Sequence, residues 1–204
     1  MSAAGAKSKH GFAFTAENAR LATEFIARYP PGRQASAVLP LLDMAQRQSG
    51  GWLPRAALDH VADLLAMPRI RMYEVATFYT MLNLEPVGRH LVQVCTTTPC
   101  WLCGSDQVME TCRDFLGVGA GETTADGQFT LVEVECLGAC CNAPMMQIND
   151  DYYEDLDADS TRRVLADLKQ GKTPKTGSQT GRTSSEPVTG LTTLAGQAPS
   201  PGGA

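Results

Sequence analysis

Five of the seven cysteines in this chain lie in two short clusters, and their placement limits what the chain can fold into. The first cluster is CTTTPC at residues 95–100, and the second is CLGACC at residues 136–141. Each begins where a run of β-forming residues ends, HLVQVC in one case and QFTLVEVEC in the other. Loops that follow two neighbouring strands can converge, so we expect the two clusters to form one site.

The composition favours a thiol-based metal centre over disulfides. The N-terminal stretch MSAAGAKSKHGF has no apolar core and does not look like a secretory signal, which predicts a cytoplasmic protein with reduced thiols. The odd number of cysteines also argues against a complete disulfide framework. The formal net charge of −5 argues against nucleic-acid binding. No apolar run approaches the roughly 18–20 residues that span a bilayer.

The spacing of the cysteines indicates an iron–sulfur centre rather than zinc. Four residues separate Cys95 from Cys100, too many for a redox C-x-x-C pair. C-x₄-C is at the edge of the range for zinc knuckles, and it opens the plant-type [2Fe-2S] motif. With Cys103 the first cluster reads C-x₄-C-x₂-C, the whole plant-type opening. Spacing alone therefore leaves Cys103 as a candidate ligand, in which case the second cluster needs to supply only one.

The first half of the chain is predicted to be a small helical bundle over residues 15–85, after a flexible arm at residues 1–14. Four short amphipathic patterns separated by Pro and Gly support this prediction. Thr15 is a suitable N-cap for the first helix, and Pro40 fits the first turn of the second. The bundle carries no candidate ligand, so we expect it to serve mainly in docking to a partner.

Residues 86–171 show an alternation of strand and helix patterns in the order β-α-β-β-β-α, which predicts a mixed sheet covered by helices. Ser105 is a predicted N-cap, Asn149-Asp150 a predicted hairpin turn, and the last helix is expected to begin near Asp159 or Ser160. The fold class is therefore α+β. Residues 172–204 are rich in Gly, Ser, Thr, Pro and Gln, so we predict a disordered tail that is dispensable for the metal centre.

Four segments together resemble a known family: VCTTTPCWL, EVECLGACCNAP, ATFYTM and YYEDL. They are similar to the thioredoxin-like [2Fe-2S] subunit of respiratory complex I, the NADH–quinone oxidoreductase. The resemblance covers residues from about 15 to 171 and implies a helical bundle followed by a thioredoxin-like domain. It also implies one [2Fe-2S] cluster with four ligands, Cys95, Cys100, Cys136 and Cys140. Three cysteines lie outside that set, Cys103, Cys112 and Cys141.

The same resemblance implies an electron-transfer subunit without catalytic residues of its own. The expected partner is a flavoprotein subunit that binds FMN and NADH, within the peripheral arm of a complex attached to the inner membrane on its cytoplasmic side. The sequence agrees, because its only loop-like glycine run, GVGAG at residues 117–121, follows a helix rather than a strand and is predicted to be a turn. Two alternatives are the equivalent subunit of a soluble NAD-linked hydrogenase or formate dehydrogenase, and a zinc-stabilised interaction protein.

Several residues near the cysteines are expected to tune or surround the site. Hydroxyls at residues 96–98 are candidate hydrogen-bond donors near the cluster, and Glu133 and Glu135 are candidate negative charges, or else part of a solvated strand face. Cys112 is predicted to be a core residue, and Cys141 to pack beside the ligand loop. The acidic YYEDL segment is interpreted as a solvated turn. His10, His60 and His90 are scattered, so we do not expect a Rieske site with histidine ligands.

Overall fold

The computed structural model describes residues 11–190 and 192–193. The chain divides into two compact units, with the division between Arg89 and His90, close to the boundary expected at residues 85–86. Most of the arm predicted at residues 1–14 lies outside the described residues. No helix among the described residues is both long enough and apolar enough to cross a bilayer.

The first unit is the predicted helical bundle. Its helices are α1 (Ala16–Ala27), α2 (Val38–Gln48), α3 (Arg55–Leu64) and α4 (Arg69–Phe78), with a 3₁₀ turn at Gln34–Ala37 before α2. The hydroxyl of Thr15 accepts the backbone N–H of Asn18 at 3.2 Å, so Thr15 is the N-cap of α1 as predicted. Pro40 lies in the first turn of α2, where its missing N–H leaves no hydrogen bond unmade.

The bundle closes around one apolar core whose side chains are withdrawn from solvent. Its larger fully buried members are Leu41, Leu42, Leu53, Val61 and Met72. Burying one such side chain stabilises the fold by about 1.5–3 kcal/mol before the entropy of ordering is subtracted. The bundle therefore has a core of its own.

The second unit is built on a mixed six-stranded sheet. Its strands are β1 (His90–Cys95), β2 (Glu122–Thr123), β3 (Phe129–Val134), β4 (Met146–Ile148), β5 (Asp151–Glu154) and β6 (Gly177–Ser178). They lie in the order β2-β3-β1-β4-β5-β6, with β1 parallel to β3, β4 antiparallel to β1 and β5, and β6 parallel to β5. The helices are α5 (Thr98–Leu102), α6 (Ser105–Leu116) and α7 (Ala158–Lys169). The predicted α+β fold class is confirmed.

Two helix starts differ from the predicted ones, and local backbone chemistry explains both. Gly104, with φ of +96°, occupies the cap position of α6, a conformation that glycine adopts without a steric cost, and Ser105 is the first helical residue. Helix α7 begins after Asp157, whose carboxylate accepts the Ser160 backbone N–H while the Ser160 hydroxyl accepts that of Asp157. This reciprocal capping box satisfies two helix-end donors at once. The hairpin turn at Asn149-Asp150 lies where it was predicted.

The segment after α7 differs from the predicted disordered tail over residues 177–186. β6 pairs with β5, and Arg182 forms a buried ion pair with Asp155. The segment has little apolar surface to bury, so its order comes from hydrogen bonds and this ion pair with β5 and the residues after it. Residue 191 and residues 194–204, which the same prediction includes, lie outside the described residues.

Candidate metal centre

The sheet topology brings the two cysteine clusters to the same edge of the sheet. β1 and β3 are parallel neighbours, and Cys95 at the end of β1 pairs with Val134 at the end of β3. The carboxyl ends of parallel neighbours lie side by side, so the loops that follow them start together. Cys136 lies two residues beyond the end of β3. The convergence expected from the sequence is therefore built into the strand order.

The first pair of thiols, Cys95 and Cys100, is buried. Both residues are about 1% exposed, and they lie in one buried cluster with Met145. Cys100 lies on the short helix α5 rather than in the loop expected after β1. Burial and the neighbouring thiol raise the pKa of Cys100 to about 12. Burial also opposes ionisation of Cys95, but hydrogen bonds from Thr97 outweigh it and lower the pKa of Cys95.

The second pair of thiols, Cys136 and Cys140, is exposed. Their sulfurs lie 3.3 Å apart, much farther than the about 2.05 Å of a disulfide bond. Gly138 closes the turn between them with φ of +88°, and its N–H donates to the sulfur of Cys136 at 3.4 Å. An amide donor such as the Gly138 N–H stabilises negative charge on the Cys136 sulfur. At the neighbouring thiol, the hydrogen bond with Cys136 raises the pKa of Cys140.

The turn that carries the second pair packs against the first pair. Leu137 and Ala139, which lie between Cys136 and Cys140, pack against the buried cluster that contains Cys95 and Cys100. The Tyr152 hydroxyl donates to the Leu137 carbonyl at 2.7 Å, which fixes the turn against β5. Met145 is the third buried member of the cluster that contains Cys95 and Cys100.

The arrangement fits a binuclear iron cluster, which takes two thiolates on each iron. Two thiolates bound to one tetrahedral metal at about 2.3 Å lie about 3.8 Å apart, close to the separation of Cys136 and Cys140. The Cys136–Cys140 spacing therefore suits two ligands on one iron. Among the residues that the structure describes, no group of three or more His, Cys, Asp or Glu side chains is already gathered to hold a metal ion.

A family model described as thioredoxin-like [2Fe-2S] ferredoxin matches residues 22–169. The chain belongs to this family. Among sequence relatives, an NADH-quinone oxidoreductase subunit of Rickettsia conorii is 60% identical over 158 residues, which are 78% of this chain and 95% of the relative. The mitochondrial NADH dehydrogenase [ubiquinone] flavoprotein 2 of Dictyostelium discoideum is 52% identical over 183 residues, 90% of this chain and 74% of the relative.

Solved structures agree with the fold of this thioredoxin-like [2Fe-2S] family member. An air-oxidised NAD⁺-reducing [NiFe]-hydrogenase superposes with a TM-score of 0.56 at 20% identity. The superposition covers 64% of this chain but only 23% of the hydrogenase chain. At this identity the likeness shows a shared fold and no more.

The other residues singled out from the sequence have distinct surroundings. Thr97 Oγ1 lies within hydrogen-bond distance of Cys95 Sγ, at 3.3 Å, whereas Thr96 donates to Glu133 at 2.7 Å. Cys112 is fully buried in the core of the second unit, and burial raises the pKa of its thiol to about 12. Cys103 is exposed at the end of α5. The core assignment of Cys112 agrees with the prediction.

The two histidines among the described residues have aromatic neighbours. His60 packs in the first unit against the rings of Phe12 and Phe14. His90 begins β1, at the opposite end of the strand from Cys95, and packs against Phe129. His10 lies outside the described residues.

Three residues beside the site were not predicted from the sequence: Asn142, Asp155 and Arg182. Asp155 belongs to YYEDL, but it is buried rather than part of a solvated turn, with a side chain 8% exposed. Arg182 lies in the low-complexity segment and carries no local signal of a contact. The pairing of these two residues across the chain could not be seen in any short window of sequence.

Proposed function

We propose that this chain is an electron-transfer subunit of an NADH–quinone oxidoreductase and carries one [2Fe-2S] cluster. The proposed ligands are Cys95, Cys100, Cys136 and Cys140. The proposal rests on the placement of the Cys95–Cys100 and Cys136–Cys140 pairs after the carboxyl ends of two neighbouring strands. The Cys136 and Cys140 sulfurs lie 3.3 Å apart. The 60% identity to a subunit of an NADH-quinone oxidoreductase supports the choice of complex.

Each part of the site has a separate task in this proposal. A bound [2Fe-2S] cluster supplies one-electron chemistry. The buried Cys95–Cys100 pair keeps water from one side of the site, and the exposed Cys136–Cys140 pair leaves the other side close to the protein surface. Thr97 and the Gly138 N–H donate to sulfur and stabilise the more negative, reduced state. These donors raise the reduction potential.

The flavin and NADH are assigned to a partner flavoprotein subunit. The GVGAG run at residues 117–121 is a turn after α6, and Gly117 ends that helix with φ of +70°.

Large apolar side chains remain exposed where a partner could cover them. Trp101 and Leu102, which follow the ligand Cys100, are 56% and 72% exposed, and in the first unit Phe78 is 76% exposed. Exposed apolar side chains of this kind mark contact surfaces.

The first experiment tests the cluster on the full chain. We expect anaerobically purified protein to contain two irons and two sulfides per chain, to be brown, and to give an electron paramagnetic resonance (EPR) signal after reduction with dithionite. NADH alone should leave the signal absent, whereas NADH with the flavoprotein subunit should produce it. Stoichiometric zinc in a colourless protein without a reducible signal would contradict the proposal.

The second experiment identifies the complex. We expect an affinity-tagged chain, expressed in its own host, to bring down the FMN-binding subunit together with quinone-reducing subunits of the peripheral arm at the cytoplasmic face of the inner membrane. Recovery with the catalytic subunit of a hydrogenase or a formate dehydrogenase would assign the chain to that enzyme instead.

A further inference from the structure

The described part of the C-terminal segment contacts the turn that carries Cys140. We propose that Arg182 is a positioning residue for the [2Fe-2S] cluster and that residues 177–186, here called the clasp, hold Cys140 in place. The proposal rests on Cys140 being a cluster ligand, as proposed above. The clasp lies outside residues 22–169, which the family model matches.

Arg182 connects three parts of the chain. Its Nε donates to Asp155 Oδ2 at 3.0 Å, and its Nη2 also contacts the other carboxylate oxygen. The same Nη2 donates to the carbonyl of Cys141 at 2.8 Å, and Nη1 donates to the carbonyl of Glu186 at 2.8 Å. The Arg182 and Asp155 side chains are 9% and 8% exposed. A paired arginine with this much burial has a defined position.

Asn142 makes a second connection between the clasp and the cysteine turn. Its side chain donates to the Ser184 carbonyl and to the Glu154 carboxylate, both at 2.7 Å. Its backbone carbonyl accepts the N–H of Asp155 at 2.8 Å. Residues 141 and 142 are therefore held between the end of β5 on one side and the clasp on the other.

The turn at Cys140–Asn142 needs support from its neighbours because it is very short. Cys140 begins a 3₁₀ turn of three residues, Cys140–Asn142, and its thiol is exposed. A turn that short has few internal hydrogen bonds, so contacts from its neighbours decide where the ligand lies. If the turn opens, Cys140 leaves the iron and the metal becomes accessible to chelators and oxygen.

The chemistry of arginine suits this role better than that of lysine. The planar guanidinium has five donors, so it can hold a carboxylate and two carbonyls at once, while an ammonium is a compact charge without that fork. The positive charge of Arg182 is balanced by Asp155 at contact distance. Its effect on the cluster is therefore expected to come mainly from holding the turn rather than from its charge.

The test compares full-length, cluster-loaded variants. In Arg182→Lys the charge opposite Asp155 remains, but the contact with the Cys141 carbonyl is lost. Arg182→Ala alone would strand a buried carboxylate and risk unfolding, so Arg182→Ala is combined with Asp155→Asn, which removes both charges. Arg162→Ala, which removes an exposed arginine that pairs with Asp159, is the matched control.

Three quantities are measured on each variant: the melting temperature, the rate of iron loss to a chelator, and the EPR line shape of the reduced protein. We expect Arg182→Lys and the double variant to lose iron at least tenfold faster than wild type, with an altered line shape. Arg162→Ala should stay within twofold of wild type in rate and keep its spectrum. The line shape reports the ligands of the iron, which a general loss of stability would not change.

The outcomes separate this proposal from the proposed function. If the wild-type protein holds no [2Fe-2S] cluster, the function fails and the clasp has nothing to position. If the wild type holds the cluster but both Arg182 variants lose iron within twofold of its rate and with its spectrum, the clasp proposal is overturned and the function stands. If Arg182→Lys loses iron at the wild-type rate while the double variant loses it faster, the charge at residue 182 is sufficient. That result would also contradict a positioning role for the guanidinium.

Discussion

Cys136 and Cys140 hold their sulfur atoms 3.3 Å apart across a turn closed by Gly138. This relationship predicts that Cys140 is a ligand and that Cys103, exposed at the end of α5, is not. We expect Cys140→Ser to lose the cluster or change its EPR spectrum, because serine is a harder and poorer ligand for this iron. Cys103→Ser should keep the iron content and the spectrum. The reverse pattern would support the plant-type spacing and refute this ligand set.

Thr97 is predicted to raise the reduction potential through its contact with the sulfur of Cys95 at 3.3 Å. Thr97→Val removes the hydroxyl while keeping the shape of the side chain. A hydrogen bond of about 1 kcal/mol corresponds to about 40 mV for a one-electron couple, so the potential should fall by a few tens of mV. Thr97→Ser, which keeps the hydroxyl, is the control. A redox titration followed by EPR measures both, and equal potentials in the two variants would show that the hydroxyl has no such effect.

Truncation should separate the clasp from the rest of the C-terminal segment. A chain ending at Gly190 keeps β6, Arg182 and Ser184, so we expect its cluster to be as stable to chelators as in the full chain. A chain ending at Gly171 lacks these contacts and should lose iron at least tenfold faster. The composition of residues 172–204 predicts instead that both truncations are harmless. Chelator kinetics at matched iron loading decide between the two expectations.

The stabilising effect of Asp155 should disappear at low pH. Burial opposes ionisation of this carboxyl, but the hydrogen bonds from Arg182 and Ser178 outweigh it, and the pKa of Asp155 lies below its usual value. A lowered folded-state pKa gives stability that is present above the unfolded value of about 3.9 and is lost as the pH falls through the folded value. The difference in unfolding free energy between wild type and Asp155→Asn should therefore be constant above about pH 5 and shrink below pH 4.

Urea unfolding of both proteins at a series of pH values measures this difference. Asp126 and Asp157 also have lowered pKa values, through hydrogen bonds from Thr124 and Ser160 respectively. These groups are present in both proteins, so their contributions cancel in the comparison. A difference that does not change between pH 6 and pH 3 would show that the Asp155 ion pair does not stabilise the folded protein.

Features with a local cause could be predicted from the sequence. The cap at Thr15, the placement of Pro40 and the turn at Asn149-Asp150 each depend on residues within one turn of chain. The two cysteine pairs could also be recognised from the sequence, because each pair spans only five or six residues of chain. Even the two displaced helix starts were off by a few residues only, since a glycine cap and a capping box compete with simpler signals nearby.

The sequence by itself determined the two cysteine motifs, the α+β order of elements and the family resemblance that names four ligands. Only the tertiary structure decided that the parallel pairing of β1 with β3 brings the motifs together, and that Arg182 meets Asp155 and the Cys141 carbonyl. The physical reason is distance along the chain. Arg182 lies 41 residues from Cys141, and composition predicts disorder for a segment that buries little apolar surface. A buried ion pair and a carbonyl contact can order such a segment, but its partners become visible only once the chain has folded.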